Sequence, residues 1–186
     1  MTDLYLALVH HPVLDKNGQV VTTAVTNMDL HDIARSARTY GVRKFFVVTP
    51  VRALRALSER IIEHWMTGHG STYNPTRTEA LALIDLEPDL DAVQMVIERQ
   101  TGLRPVVVVT SARQGEQPIR FSELRERVSK EKDPHLVILG TGWGLTPELL
   151  DDADLRLEPI CGIGEYNHLS VRAAAAIILD RLRGTR

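Results

Sequence analysis

The fold depends most on residues 135–172, which read HLVILGTGWGLTPELLDDADLRLEPICGIGEYNHLSVR. This segment contains two glycine-rich turns, each behind a run typical of a buried strand. Gly140, Gly142 and Gly144 follow residues 136–139 in the sequence. Gly162 and Gly164 follow residues 155–160. Because glycine lacks a side chain, the backbone at such turns can approach a ligand closely. Glycine triplets also occur in turns that bind nothing, so this pattern alone leaves both interpretations open.

Strand and helix patterns alternate along the whole chain. Largely apolar runs, typical of strands buried on both faces, occur at residues 4–9, 45–49, 106–109 and 136–139, and residues 155–158 predict a fifth strand. Helical spacing predicts helices at residues 29–40, 51–66, 88–100, 123–132 and 168–183. Ser122 is the expected N-cap of the fourth of these, and Thr146-Pro147 predicts a further short helix. This alternation predicts a single α/β domain over residues 1–186, with a mostly parallel sheet.

Three segments fit no single pattern. Residues 20–25 suit either a short strand or a loop, and residues 79–84 suit either a helix or a strand. Residues 68–77, GHGSTYNPTR, contain glycines and Asn74-Pro75, which predict a loop without regular structure. A loop of that length indicates either a substrate-facing segment or a surface excursion.

Composition restricts the class of protein. Of 186 residues, 44% are hydrophobic and 25% are charged, which excludes disordered, collagenous and disulfide-rich chains. The single cysteine, the absence of a signal-peptide pattern and the lack of about 20 consecutive apolar residues predict a cytoplasmic protein without a membrane segment. The net charge of −2 supplies no global attraction to nucleic acid, although arginines give the first eighty residues a basic bias.

Several common chemistries do not fit the glycine turns. Gly144 is followed by Leu145-Thr146, whereas a phosphate-binding P-loop needs a lysine there. The first strand ends in His10-His11 and not in a dinucleotide fingerprint, and the chain lacks a Gly-x-Ser-x-Gly elbow. The histidines show no zinc-ligand spacing, so we expect no metal site. The remaining interpretation is a neutral notch that binds a ligand and is formed by the loops after the last three predicted strands.

Four segments together carry a resemblance to a known family. Residues 139–145 (LGTGWGL), 157–160 (LEPI) and 166–171 (YNHLSV) resemble the last two motifs of the SPOUT RNA methyltransferases. Residues 29–38 (DLHDIARSAR) resemble the first motif of the ribose-methylating branch of that family. The resemblance covers nearly the whole chain. It is strongest to a small stand-alone bacterial group of SPOUT proteins classed as predicted RNA methyltransferases.

This resemblance implies a doubly wound sheet whose C-terminal segment forms a deep trefoil knot and binds S-adenosyl-L-methionine. It also implies an RNA substrate, either tRNA or rRNA, and a homodimer formed through the knot and the C-terminal helix. Most cofactor contacts are then expected from the backbone, with apolar side chains around the adenine. Carried over by position, the cofactor-binding residues are Thr110, Ser111, Leu139, Gly140, Thr141, Gly142, Trp143, Gly144, Leu145, Ile160, Gly162, Tyr166, Asn167 and Leu169.

The catalytic candidates come from the first and last motifs. Arg35 matches the family arginine, and we expect it to orient the substrate or its phosphate. An arginine cannot act as a general base, whereas His31 and His168 titrate nearer neutrality and can accept a proton. Both histidines fit a structural role equally well. Ser170 fits either a substrate contact or a helix cap, and Glu165 is a weaker candidate base.

Two positions depart from the ribose-methylating pattern, because Asp29 and His168 stand where that branch has asparagines. The target is therefore either a base or a ribose. The same departures, together with the modest charge, support an alternative, a catalytically inactive SPOUT-like protein that binds a ligand or a partner.

The remaining aromatic and thiol side chains have less specific roles. Trp65 and Tyr73 can stack a flipped base while Arg77 holds phosphate, although a tryptophan at a helix end more often belongs to the core. Trp143 is expected to pack within its turn, and Cys161 to be a small buried residue.

Overall fold

The computed structural model describes residues 2–164 and 166–185, apart from the side chain of His69. The strands are β1 (Leu4–Val9), β2 (Val13–Leu14), β3 (Val20–Val21), β4 (Phe45–Val48), β5 (Ile84–Glu87), β6 (Val106–Val109), β7 (His135–Gly140) and β8 (Leu155–Arg156). The helices are α1 (Asn27–Thr39), α2 (Arg52–Met66), α3 (His69–Tyr73), α4 (Pro75–Leu81), α5 (Leu90–Thr101), α6 (Phe121–Lys130), α7 (Pro147–Asp151) and α8 (Val171–Arg183). Among these helices, none is long and apolar enough to span a membrane.

The central element is β1, which lies inside a six-stranded sheet with the order β5-β4-β1-β7-β6-β8. Every neighbouring pair in this sheet is parallel. Leu6 of β1 pairs with Phe45 on one side and with Val137 on the other. All six residues of β1 are buried, as expected for a strand covered on both faces. The prediction of an α/β fold with a mostly parallel sheet is confirmed.

Helices cover both faces of the sheet. Leu6 and Leu8 pack with α1, α4, α6 and α8 on one face. Tyr5 and Ala7 pack with α5, α7 and the β2–β3 hairpin on the other. The sheet is therefore doubly wound, and the loops that leave the carboxyl ends of β1, β6, β7 and β8 share one edge. Ligands of open α/β sheets bind at this edge.

The prediction that residues 68–77 lack regular structure is wrong, because they form α3 and the start of α4. The side chain of Asn74 accepts a hydrogen bond from the backbone N–H of Arg77 at 3.1 Å, and Pro75 occupies the first helical position. The Asn-Pro pair therefore starts a helix and does not break one. Ala80 and Leu81 are buried in the core, so packing stabilises a helix that its local sequence does not reveal.

Both ambiguous segments acquire structure from their neighbours. The helix ends at Leu81 and β5 begins at Ile84, so residues 79–84 contain a helix end and the first residue of a strand. Within residues 20–25, β3 forms an antiparallel hairpin with β2.

The predicted starts of two helices are also corrected. Helix α6 begins at Phe121, and Ser122 is not its N-cap. A carboxylate oxygen of Glu158 accepts a hydrogen bond from the N–H of Phe121 at 2.6 Å, so a residue distant in sequence stabilises this end. Helix α8 begins at Val171 and not at residue 168, and Ser170 caps it by accepting from the N–H of Ala173 at 3.3 Å.

Candidate functional site

The three loops predicted to bind the cofactor meet at the carboxyl edge of the sheet. The side chain of Asn167 donates a hydrogen bond to the carbonyl of Ala112 at 2.9 Å, which joins the loop after β8 to the loop after β6. The ring of His168 lies edge-on to Trp143 with 6.2 Å between centroids, which joins the loop after β8 to the turn after β7. The structure therefore places the predicted cofactor residues in one region.

The β2–β3 hairpin holds the turn after β7. The carbonyl of Leu14 accepts a hydrogen bond from the N–H of Trp143 at 2.9 Å, and its N–H donates to the carbonyl of Gly144 at the same distance. Gly142 has φ +60°, and a Cβ there would lie 2.8 Å from the Leu14 oxygen. The position that a side chain of Gly142 would occupy is therefore taken by the backbone of Leu14, so this glycine is required by a contact within the protein.

Three other glycines present open backbone. Among the residues that the structure describes, none has an atom within 4 Å of a Cβ placed on Gly144, Gly162 or Gly164, apart from the chain neighbours of each glycine. Beside them, Ile160 is half-buried and Leu169 is 44% exposed, so apolar side chains are available to contact an adenine. Ligand sites are commonly lined by apolar side chains with a few exposed backbone groups, and this surface offers both.

The hydroxyl groups of the serine and the two threonines among the predicted cofactor residues are already hydrogen-bonded within the protein. Thr110 donates to the carbonyl of Ile138 at 2.9 Å, and the Ser111 hydroxyl accepts from the N–H of Arg113 at 3.0 Å. Thr141 donates to the carbonyl of Val9 at 2.9 Å. These three side chains therefore stabilise the conformations of the loops.

A buried hydrogen-bond chain connects the end of β1 to the glycine turn. His10 Nδ1 lies 3.1 Å from the hydroxyl of Thr23, which lies 2.5 Å from the hydroxyl of Thr141. Since Thr141 donates to Val9, the chain is satisfied when Thr23 donates to Thr141 and a neutral His10 donates to Thr23. Burial lowers the pKa of His10 to about 4, and the charge of Asp29 opposes this shift only in part.

The two sides of α1 contact different neighbours. Arg172 of α8 pairs with Asp29 at 3.5 Å and with Asp32 at 2.8 Å. On another side, the ring of His31 lies 5.2 Å from that of Trp65, and Arg35 lines a cleft against α4. Helix α1 therefore joins the start of α8 to the α2–α4 region.

The four catalytic candidates fall into two groups. His168 and Ser170 lie in the cofactor region, where Ser170 caps α8. His31 and Arg35 lie on the side of α1 that contacts α2 and α4. The pKa of His31 is lowered by burial and by the positive charge of Arg77, so this imidazole is neutral near pH 7. The fifth candidate, Glu165, lies outside the described residues.

Two expectations about the last loops are wrong. Trp143 does not pack within its turn, since 55% of it is exposed. Cys161 is exposed and not buried, because it lies in an irregular loop that no helix covers. Ile163 and Tyr166 are also more than three-quarters exposed. The rings of Trp143 and Tyr166 both lie beside that of His168. We call the exposed apolar side chains of these loops, Trp143, Ile163, Tyr166 and Leu169, the loop patch.

The sequence patterns did not indicate the structural roles of Thr23, Arg172 and Glu158. Each acts through a partner more than twelve residues away: Thr23 at Thr141, Arg172 at Asp29 and Asp32, and Glu158 at Phe121. Glu158 lies within the family-like segment 157–160, but no spacing within one element indicates the partners of these three residues.

The chain matches the model of a family described as SAM-dependent RNA methyltransferase over residues 3–184. It belongs to that family. S-adenosyl-L-methionine is accordingly the methyl donor, and RNA is the class of substrate. Which RNA and which atom it methylates do not follow from membership.

Three relatives share sequence with nearly the whole methyltransferase. A protein of Aquifex aeolicus is 44% identical over 97% of this chain and 88% of its own length. Proteins of Nitratidesulfovibrio vulgaris and Oleidesulfovibrio alaskensis, both named tRNA (guanine-N(1)-)-methyltransferase, are 46% and 42% identical over 98% of this chain. The chain spans only 42% of each of these two proteins. More than half of each of these two named proteins therefore lies outside the part that matches this chain.

Solved structures share the fold. A probable methylase family protein from Haemophilus influenzae has a TM-score of 0.62 at 17% identity, covering 98% of this chain and 65% of that one. The TrmH/SpoU tRNA modifying enzyme of A. aeolicus has a TM-score of 0.55 at 18% identity, covering 98% and 75%. The SpoU methyltransferase AviRb from Streptomyces viridochromogenes, solved with AdoMet, has a TM-score of 0.58 at 17% identity, covering 97% and 56%.

Because the pKa of His10 is lowered by burial, we expect acid to destabilise the methyltransferase. Well above its unfolded pKa of about 6.5, this imidazole is neutral in both the folded and the unfolded chain. As the pH falls from 6.5 towards 4, the unfolded chain binds a proton that the folded chain excludes, so the free energy of unfolding decreases by about 3 kcal/mol from this group. The lowered pKa values of His31 and His135 act in the same direction.

Urea unfolding at several pH values between 7.5 and 4.5 measures this decrease. His10→Asn keeps a hydrogen-bonding group but does not titrate, so its stability should fall less steeply with acid than that of the wild type. A wild-type stability that stays constant across this range would contradict the assignment of a buried neutral imidazole.

A matched pair of glycine substitutions separates structure from cofactor binding. Gly142→Ala should lower the free energy of unfolding by roughly 1–3 kcal/mol, because its φ is positive and its Cβ would collide with Leu14. Gly162→Ala should leave thermal unfolding unchanged and weaken binding of S-adenosyl-L-methionine severalfold in calorimetry, because its Cβ projects from the open surface. Unchanged unfolding of Gly142→Ala, or unchanged affinity of Gly162→Ala, would refute the corresponding assignment.

Proposed function

We propose that the methyltransferase transfers a methyl group from S-adenosyl-L-methionine to a nucleotide of tRNA. The observation that carries this proposal is the meeting of three loops at the carboxyl edge of the sheet, with open backbone at Gly144 and Gly162. The choice of tRNA over rRNA is supported by the two tRNA methyltransferases that share 98% of this chain, although the shared part is less than half of each.

The residues around the cofactor have separate roles in this proposal. Peptide groups of residues 140–145 and 160–164 bind the cofactor, and Ile160 and Leu169 exclude water from its adenine. S-adenosyl-L-methionine supplies an electrophilic methyl group on a sulfonium, which requires in-line placement of the accepting atom. The apolar and glycine positions of the three loops therefore hold the donor, and other residues must hold the RNA.

His168 is the proposed general base. Its imidazole is exposed and lies beside Trp143, within the region formed by the three loops. His31 suits this role less well, since it packs against Trp65 on the side of α1 that contacts α2 and α4. Arg35 on that side is proposed to orient the RNA through a phosphate, and Ser170 to add a substrate contact to its role as a helix cap.

The proposal also includes the knot, the dimer and the location. The SpoU-like fold supports a trefoil knot made by residues 140–170, because the last loop contacts both earlier ones. The loop patch and α8 are proposed to contact a second copy of the chain, since exposed apolar patches of this kind mark interaction surfaces. An RNA substrate of this class agrees with a cytoplasmic location.

The decisive experiment compares modified nucleosides by mass spectrometry in tRNA and rRNA from strains with and without the gene. We expect one methylated nucleoside to disappear from tRNA and to return when purified protein and S-adenosyl-L-methionine are added. Disappearance from rRNA alone would reject the tRNA assignment. Cofactor binding without methylation of any RNA would support the alternative of an inactive SPOUT-like binding protein.

Arg35→Ala provides a variant for the same assay. It should lower methyl incorporation by roughly tenfold or more, a decrease of about 1.4 kcal/mol or more in transition-state stabilisation. Affinity for the cofactor should change by less than about twofold, because Arg35 lies outside the three loops. A collapse of cofactor binding would contradict this separation.

Analytical ultracentrifugation tests the dimer. Ile163→Glu introduces a charge into the loop patch and should weaken dimerisation about tenfold or more. Met95→Glu is a matched control, because Met95 is 53% exposed on α5, which covers the opposite face of the sheet from α8. A wild-type protein that remains monomeric at high micromolar concentration would contradict the proposal.

A further inference from the structure

Helices α1 and α4 enclose a cleft of about 230 Å³ away from the cofactor loops. Its polar walls include Arg35, Arg38, Thr39, Asn74, Thr76 and Arg77. Helix α4 belongs to the segment for which sequence analysis predicted no regular structure, and the proposed methyl transfer does not use it. We call this space the arginine cleft.

The arginine cleft carries a concentrated positive charge. It contains three arginines and one carboxylate, that of Glu79. Arg38 lies 3.1 Å from Glu79, but both side chains are more than half exposed, so this ion pair is weak and open to exchange. Within the described part of the chain, Arg35 and Arg77 form no ion pair with a carboxylate. Binding one anion would therefore compensate charges that the fold leaves unbalanced.

Arg77 is held in place before any ligand arrives. Its guanidinium carbon lies 4.7 Å from the centroid of the Trp65 ring, and its backbone N–H donates to the side chain of Asn74. The hydroxyl of Thr78 donates to the carbonyl of Trp65 at 2.9 Å, which ties α4 to the end of α2. The Nε atom of Arg77 is buried and lacks a hydrogen-bond partner among the described residues. Stacking of this kind fixes a guanidinium plane with donors left to bind a phosphate.

The cleft lies some distance along α1 from the cofactor edge. Helix α1 starts near that edge, because Asp29 pairs with Arg172 at the start of α8. Arg38 is nine residues further along, about 13 Å by the rise of an α-helix. An anion bound in the cleft is therefore distant from the cofactor edge of the same chain, where methyl transfer is proposed.

We propose that the arginine cleft binds a backbone phosphate of the RNA substrate, away from the reacting nucleotide. Arg38 and Arg77 contact the phosphate oxygens, and Trp65 is a positioning residue for Arg77. Guanidinium, hydroxyl and amide groups are those that contact phosphates in nucleic-acid complexes. The volume is below that of typical small-molecule pockets, about 300 Å³ or more, so it suits one phosphate of a strand that continues across the surface. This inference rests on RNA being the substrate, as proposed above.

The test measures binding of tRNA from the gene-deletion strain over a range of salt concentrations. Removal of one arginine–phosphate interaction should reduce the slope of log affinity against log salt by about 0.7–0.9. We expect Arg38→Gln and Arg77→Gln each to show that reduction and to lower affinity severalfold, whereas Arg104→Gln, an exposed control between α5 and β6, should match the wild type. Thermal unfolding and cofactor affinity should be unchanged in all three.

Two further variants test how the arginines act. Arg77→Lys keeps the charge and should keep the salt slope, but it should lower affinity because the stacked guanidinium is removed. Trp65→Leu should also lower affinity at unchanged slope, since both arginines remain. A Trp65→Leu variant that melts earlier but binds RNA as the wild type would reject its positioning role.

Other outcomes overturn the proposal. Unchanged salt slopes for Arg38→Gln and Arg77→Gln would reject the cleft as a phosphate-binding site, but they would not contradict the proposed methylation of RNA. Absence of RNA binding by the wild type would reject it as well. Inorganic phosphate that binds the wild type and not the two variants, with tRNA slopes unchanged, would assign the cleft to a free anion. If the salt slopes of Arg38→Gln and Arg77→Gln are reduced but the protein methylates no RNA, the phosphate site in the cleft is supported and the proposed function is rejected.

Discussion

The contact between Gly142 and the carbonyl of Leu14 determines the geometry of the cofactor edge. The β2–β3 hairpin and the turn after β7 supply backbone hydrogen-bond partners to each other at Leu14, Trp143 and Gly144. A side chain at Gly142 would separate them. Trp143 follows this turn and lies against His168, so the position of the last loop also depends on the same contact. A hairpin of four strand residues thus supports the whole site.

Helix α1 connects the cofactor edge to the proposed RNA surface. Its acidic residues pair with Arg172 beside the cap of α8, whereas its arginines line the cleft against α4. Asp29, which stands where the ribose-methylating branch has an asparagine, is buried and ion-paired. Its role in this chain is therefore to position α1 against α8. That difference gives a physical reason why the family pattern does not transfer residue by residue.

Local patterns predicted the elements that depend on burial within one segment. The apolar runs at residues 4–9 and 106–109 are strands, because a strand covered on both faces needs apolar residues at every position. The cap at Thr146 was likewise predictable, since a cap and its helix are adjacent in sequence. The start of α6 was not predictable, because Glu158 from a distant loop stabilises it. Asn74-Pro75 has the pattern of a break, but burial of Ala80 and Leu81 against the core makes it the start of a helix.

Residue types at short spacing were sufficient to predict an α/β fold with a mostly parallel sheet, and the resemblance of four segments to known motifs predicted the family. Which glycines are open and which are filled by backbone became clear only from the folded chain. Folding also separates His168 from His31 and Arg35, and it brings Trp65, Arg77 and Arg38 around one cleft. These relations join residues far apart in the chain, and only the packing of helices on the sheet makes them neighbours.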